Sequence, residues 1–358
     1  MKLALISVTR KGAALAERLV PFLGPDVDVY AKEGRDNVTG TSRTYDCLSQ
    51  LVDTIFHKYD GFVFIMAAGI VVRIIAHHIR DKRFDPAVVV VDDGGKHAIS
   101  LLSGHIGGAN DLTLAVSEAI GASPVITTAT DVAQLPAADV LAVKLNLLIE
   151  PFPRLKVINA AIANGDRVVF FIDKSLADYE HYLHLAAEYG IILQDAGELE
   201  EIDHYDAAVI ITDQEYDTAK PCLFLRPGSL ALGIGCRRGT TDAELFGAIS
   251  DACRKIGKSW QSVAVLGSSV VKQDEIGLLA LGQQLDVPVE FFSNEQLRLC
   301  IAEKNYISSS FVEQQIGVGN VCEPAAILAG QSDRLLLPKT KYAKVTVAIA
   351  PVKYRWWE

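Results

Sequence analysis

A histidine stands inside the most glycine-dense stretch of the chain, Ser103-Gly104-His105-Ile106-Gly107-Gly108-Ala109-Asn110. Glycines let the backbone come close to a ligand, and N–H groups where a loop opens a helix favour an anion. An imidazole in that setting moves protons near neutral pH. His105 is therefore the candidate general base. Ser103, Gly104, Gly107, Gly108 and Asn110 are candidate substrate contacts, with N–H groups around Gly107 and Gly108 as oxyanion donors. A tight turn with a capping histidine is the plainer reading of the same residues. Upstream, Asp92 and Asp93 follow the apolar run Val88-Val89-Val90-Val91. Paired carboxylates at the carboxyl end of a buried strand can act as acid and base, or orient His105. Asp93-Gly94 is equally a hairpin-turn signal.

Two more loops carry candidate chemistry. Gly233-Ile234-Gly235-Cys236-Arg237-Arg238-Gly239 places two arginines where carboxylates or phosphates could be held. Its glycine spacing is not a dinucleotide fingerprint, and no Walker lysine follows, so a nucleotide-dependent enzyme is disfavoured. Gly317-Val318-Gly319-Asn320-Val321-Cys322-Glu323-Pro324 offers Asn320 as a contact and Glu323 as an acid or base. Lys272 and Glu275 fall where another helix begins, and Glu275, like Glu323, is a candidate acid or base. Solvated arginines and charged first helical turns are the bland readings of these sites.

Metal chemistry has less support. Adjacent side chains on a helix point about 100° apart, so His77 and His78 are not expected to chelate one ion together. His181, His184 and His204 are more cheaply read as exposed histidines. The six cysteines lack C-x-x-C spacing and read as isolated reduced thiols. The chain is expected to hold no metal of its own.

These loops need a scaffold. Strand-like runs Leu3–Val8, Gly61–Met66, Ala87–Val91 and Pro124–Thr127 alternate with helix-like runs Lys11–Leu23, Tyr45–Lys58, Gly69–Arg80 and Ala109–Gly121. Such alternation implies crossovers and a mostly parallel sheet. A less patterned middle holds a strand at Arg167–Ile172, a helix at Leu176–Tyr189 and a strand at Ala207–Thr212. The last part starts again with a strand at Ser229–Ile234, a capping box at Thr241–Glu244 and a second at Ser293–Gln296, and closes on the strand Lys344–Ala350. The expected fold is α/β in three parts. Residues 1–135 and 227–358 are α/β domains with mostly parallel sheets, and 136–226 is a smaller α/β middle domain.

Composition bounds the partners. Half of the 358 residues are hydrophobic and 22% are charged, enough for real cores. The net charge of −10 argues against nucleic acid, so a polyanionic ligand must be held by local Arg and Lys. No apolar run reaches the ~18 residues of a membrane helix. The apolar start Leu3–Val8 runs into Thr9-Arg10-Lys11 with no small-residue cleavage site, so it reads as a first strand and a cytoplasmic location is expected.

Taken in order, the motifs resemble the cobalt-precorrin-5A hydrolase family (the CbiG family) of anaerobic cobalamin biosynthesis. The residues that carry the resemblance are Gly69-Ile70-Val71-Val72-Arg73, Asp85–Asp92, Leu101–Asn110, Gly233–Gly239, Lys272–Leu278 and Gly317–Ala326. One departure is His77-His78, where the family pattern leads one to expect Pro-Leu. The resemblance implies a hydrolase that opens the ring A acetate δ-lactone of cobalt-precorrin-5A and releases C20 with its methyl as acetaldehyde, a ring-contraction step. No cofactor is implied, because cobalt arrives inside the substrate and the macrocycle can act as electron sink. Arg73, Arg237, Arg238 and Lys272 are then expected to bind peripheral carboxylates. As partners the resemblance allows a second copy of the chain or the neighbouring methyltransferases of the pathway. The alternative is a protein that binds and escorts corrinoid intermediates without chemistry.

Overall fold

The computed structural model describes residues 1–35, 42–132, 135–199, 204–216, 218, 220–310, 313–314 and 317–353. They group into two compact units. One is Met1–Val143 with Ile162–Gly165, and the other is Lys144–Ala161 with Asp166–Glu358.

The first unit is built on seven strands: β1 (Leu3–Ser7), β2 (Val27–Lys32), β3 (Arg43–Tyr45), β4 (Gly61–Ile65), β5 (Ala87–Val91), β6 (His97–Leu102) and β7 (Ser123–Val125). Their order across the sheet is β3-β2-β1-β4-β5-β6-β7. All neighbours are parallel except β5 and β6, which form an antiparallel hairpin. The central strands β1, β4 and β5 are buried at every position, and apolar except at Ser7, because both faces are covered. Leu5, Val63, Val89 and Val91 pack on one side, and Ile6, Phe62, Phe64, Val88 and Val90 on the other. The helix Ala109–Ile120 covers the first of these faces and starts from Gly108 in the left-handed conformation, φ 84°. The helices Leu48–Ile55 and Ala68–Ile75 cover the second.

The second unit holds two five-stranded sheets. One contains β8 (Leu148–Glu150), β9 (Val168–Ile172), β10 (Leu193–Asp195), β11 (Ala207–Ile211) and β12 (Cys222–Arg226), in the order β10-β9-β11-β12-β8. The other contains β13 (Leu230–Cys236), β14 (Val263–Ser269), β15 (Val289–Phe292), β16 (Leu337–Lys341) and β17 (Val345–Pro351), in the order β15-β14-β13-β17-β16. The architecture is thus α/β, with two mostly parallel sheets and a third. The last is mixed, because β16 and β17 make an antiparallel hairpin and β17 returns antiparallel along β13.

Both capping boxes are formed, by Thr241 with Glu244 and by Ser293 with Gln296. The expected helix at 45–58 is shorter, Leu48–Ile55, since Arg43–Tyr45 is an edge strand. Likewise the helix expected over 69–80 ends at Ile75.

Candidate functional site

His105 lies in the loop between β6 and the Ala109–Ile120 helix. Its Nδ1 is 3.0 Å from Oδ1 of Asp139, and both side chains are only 6% exposed. Asp139 sits in the first turn of the helix Ala138–Lys144. The missed signal was an acidic residue placed just ahead of the apolar pattern Val140, Leu141, Val143.

Asp92 and Asp93 do not orient His105. They form the turn at the opposite end of the β5–β6 hairpin, one five-residue strand away, about 16 Å. Because β6 runs antiparallel to β5, pairing Val91 with Ala98 and Val88 with Leu102, the His105 loop falls at the amino end of β5. Ser103 there donates its hydroxyl to the Asp85 carbonyl at 3.0 Å. Asp92 accepts the N–H groups of Gly94, Lys96 and His97 at 2.7–2.9 Å. Burial raises its pKa, but those N–H bonds outweigh it and hold the carboxyl below the usual range. That makes it a turn former and a weak base. Asp93 accepts the Thr9 hydroxyl.

The glycines of the His105 loop serve its own packing. A Cβ on Gly107 would lie 2.4 Å from Ser103 Cβ, and one on Gly104 would lie 2.8 Å from Asn110 Oδ1. The Gly108 N–H, proposed as an oxyanion donor, is bound to the His105 carbonyl at 3.0 Å. Asn110 is buried, taking the Ser100 hydroxyl at 2.6 Å and donating to Thr128 at 3.2 Å. Ser103 is held at φ 58°, a left-handed conformation that costs a non-glycine residue about 1–3 kcal/mol.

In the second unit, Gly233–Cys236 belong to β13, and the loop that follows at Arg237–Gly239 is tied down from below. Glu275 is buried and accepts the Gly239 N–H at 2.6 Å, while its other oxygen is 3.2 Å from Lys272 Nζ. Lys272 is nearly covered, with a side chain 12% exposed, so it locks this loop and is not presented as a carboxylate receptor. Arg237 is exposed, and Arg238 makes an exposed pair with Asp274 at 3.2 Å. Gly233 and Gly267 admit a helix. Their Cβ atoms would fall 1.7 Å from the Cys322 carbonyl and 2.6 Å from the Ala325 carbonyl of the Cys322–Ala329 helix.

Glu323 opens that helix and lines a cavity. The cavity measures about 430 Å³ and is bounded by Tyr306, Ser308, Ser309, Glu323, Lys339 and Lys341. Asn320, fully buried, donates to Glu323 at 2.5 Å and to the Ile307 carbonyl at 3.1 Å. Lys339 gives its backbone N–H to Glu323 at 3.0 Å. The two lysines were not singled out in the sequence; they sit on β16, a strand its pattern did not reveal. A larger cavity of about 650 Å³ touches none of the sequence candidates. On its wall Lys258 pairs with Asp213 at 2.5 Å and Arg226 with Glu150 at 2.6 Å.

Arg73 is exposed and bonds its own helix at the Gly69 carbonyl, 2.8 Å. His77 and His78 differ from expectation. They lie past the end of the Ala68–Ile75 helix, so the 100° divergence does not apply, and both Nε2 atoms sit 2.9 Å from Oδ1 of Asp53.

What the folds and loops define is a multi-sheet α/β protein with a buried His–Asp pair on one unit and a carboxylate-and-lysine cavity on the other. Residues 50–131 match the family described as cobalamin synthesis G N-terminal, 136–227 the cobalamin biosynthesis central region, and 230–350 the cobalamin synthesis G C-terminus. A cobalt-precorrin-5A hydrolase of Priestia megaterium is 31% identical, covering 98% of this chain and 95% of that protein. One from Salmonella typhimurium is 34% identical over 93% of each. A probable cobalt-precorrin-5A hydrolase of Methanocaldococcus jannaschii is 26% identical, covering 98% of this chain and 99% of that protein. The chain belongs to the cobalt-precorrin-5A hydrolase family. Among the described residues no helix is long and apolar enough to cross a membrane.

Proposed function

We propose that this chain hydrolyses cobalt-precorrin-5A, the substrate for which its relatives are named, with His105 as general base and Asp139 as its positioning residue. The observation that carries the assignment is the 3.0 Å contact between His105 Nδ1 and Asp139. A carboxylate at Nδ1 keeps the proton on that nitrogen, so Nε2 is the basic one.

In the first step Nε2 takes a proton from water as the hydroxide attacks the lactone carbonyl. The bond from the acyl carbon to the ring oxygen breaks, and the departing alkoxide on C20 recovers the proton. In the second step the C20 hydroxyl loses its proton. The C–C bond to the macrocycle breaks with its electron pair passing to the macrocycle, C20 and its methyl leave as acetaldehyde, and the macrocycle is protonated. Both steps ask for the same group, a base with a pKa near the working pH. Exposed Arg237 and Arg238 are the candidates for peripheral carboxylates; no cofactor is required, since cobalt belongs to the substrate. The setting we assign is the cytoplasm.

A second reading gives the proton transfers to Glu323, favoured by its place in a cavity beside Lys339 and Lys341. Kinetics of acetaldehyde release separate the two. His105→Ala should cost about 10²–10⁴ in kcat with KM little changed, and Glu323→Gln should leave kcat within a few-fold. The reverse pattern in folded variants transfers the role to Glu323. Absence of acetaldehyde from the parent protein leaves binding and escort of the corrinoid as the function.

A further inference from the structure

Three donor groups converge on one face of the first unit, beside the Ala68–Ile75 helix. Asp53 projects from the Leu48–Ile55 helix, and His77 and His78 follow the Ala68–Ile75 helix. The two imidazoles are 3.9 Å apart between ring centres. Each Nε2 is 2.9 Å from the same Asp53 oxygen, and the three donor atoms all lie within 4.8 Å of one another. His78 is held in place: its ring stacks on the buried Phe56 at 5.0 Å and 20°, and its side chain is 13% exposed. His77 and Asp53 are about half exposed, which leaves an approach for an ion and room for water as further ligands.

We propose that Asp53, His77 and His78 bind one divalent first-row transition-metal ion, with zinc(II) the representative. The donor set is two imidazole nitrogens and one carboxylate oxygen, a combination that zinc takes with water in its remaining position. Imidazole favours zinc, copper and nickel, whereas magnesium and calcium prefer sites made of oxygen alone. Tetrahedral bonds of about 2.0–2.2 Å place donors roughly 3.3–3.5 Å apart. The 2.9 Å separations need open by only about half an ångström, a movement available to the exposed His77 and Asp53 side chains. Such a site stands against the expectation from the sequence that the chain holds no metal of its own. It is independent of the proposed hydrolysis, because the test uses no corrinoid.

The test is a zinc titration of untagged, metal-stripped, full-length protein in competition with a chromogenic chelator. One zinc per chain is expected. His77→Ala and Asp53→Ala should each weaken binding by at least about tenfold, since losing a direct ligand costs no less than losing an outer partner. Both residues are surface groups, so thermal melts should match the parent and keep the comparison valid. His184→Ala, which removes an exposed histidine paired with Glu188, should leave the affinity unchanged, and excess magnesium should not compete. The proposal is overturned if the parent takes up no stoichiometric zinc, or if His77→Ala and Asp53→Ala bind zinc as tightly as the parent.

Discussion

Substituting Gly233 by Ala tests why the Gly233–Gly239 stretch is rich in glycine. The added Cβ would lie 1.7 Å from the Cys322 carbonyl oxygen and 2.5 Å from the Ala326 nitrogen. Both obstacles are backbone, so no side chain can swing aside; the Cys322–Ala329 helix must retreat from β13 by more than an ångström. Overpacking usually costs 1–3 kcal/mol and occasionally more, and a clash with backbone belongs at the upper end, about 3 kcal/mol. For a unit of this size that is roughly 6–12 °C in Tm. Gly247→Ala is the control. That glycine is exposed within the Asp242–Lys255 helix, and its added Cβ would meet nothing within 4 Å. Removing a mid-helix glycine there should stabilise by about 0.5–1 kcal/mol. The assay is thermal and urea unfolding of the full chain. A Gly233→Ala protein that melts with the parent would refute the helix-docking account. Loss of ligand binding without loss of stability would instead restore these glycines to a site.

Two further outcomes are expected. Arg237→Ala should raise KM about tenfold or more, with kcat retained, since a charge-assisted bond is worth about 1.5–3 kcal/mol. Arg238→Ala should do less because Asp274 already holds that guanidinium, and both effects should shrink as salt rises; an unchanged KM for Arg237→Ala removes it from the site. The thiols form the other test. All six cysteines are free, but burial pushes Cys222 and Cys253 up to about 12 and Cys322 to about 11, whereas Cys47 is exposed. A thiol reagent at pH 8 should titrate Cys47 rapidly in the native protein and all six after denaturation. Since unfolded thiols ionise from about pH 8.5 while the buried ones stay protonated, folding stability should fall as pH rises from there toward 12. Rapid native modification of Cys222 or Cys253, or flat alkaline stability, would contradict the burial.

The strands and caps were legible where one local signal dominated. Val88–Val91 is apolar on both faces because helices cover both, and Thr241 and Ser293 each stand three residues ahead of a Glu or Gln that returns the bond. What the pattern concealed was strand direction. Asp93-Gly94 signals a hairpin, but the placement of His105 depends on β6 running back along β5, which moves the loop to the other end of the sheet. The partner of His105 was hidden for a related reason. Asp139 is 34 residues downstream, and only tertiary packing brings it to the imidazole. Glycine was the most ambiguous residue, because ligand approach and helix approach both require a missing Cβ. Only the Cβ clash at Gly233 and Gly267 separates the two. His77 and His78 were placed on a helix expected to reach residue 80, five residues past its end at Ile75.

The most direct test of the central claim is single-turnover release of acetaldehyde from cobalt-precorrin-5A by the parent protein, His105→Ala and Asp139→Asn, with melts to confirm folding. The account predicts release by the parent and a loss of about 10²–10⁴ in rate for folded His105→Ala, with Asp139→Asn impaired in the same direction. Near-parent release by folded His105→Ala would contradict it.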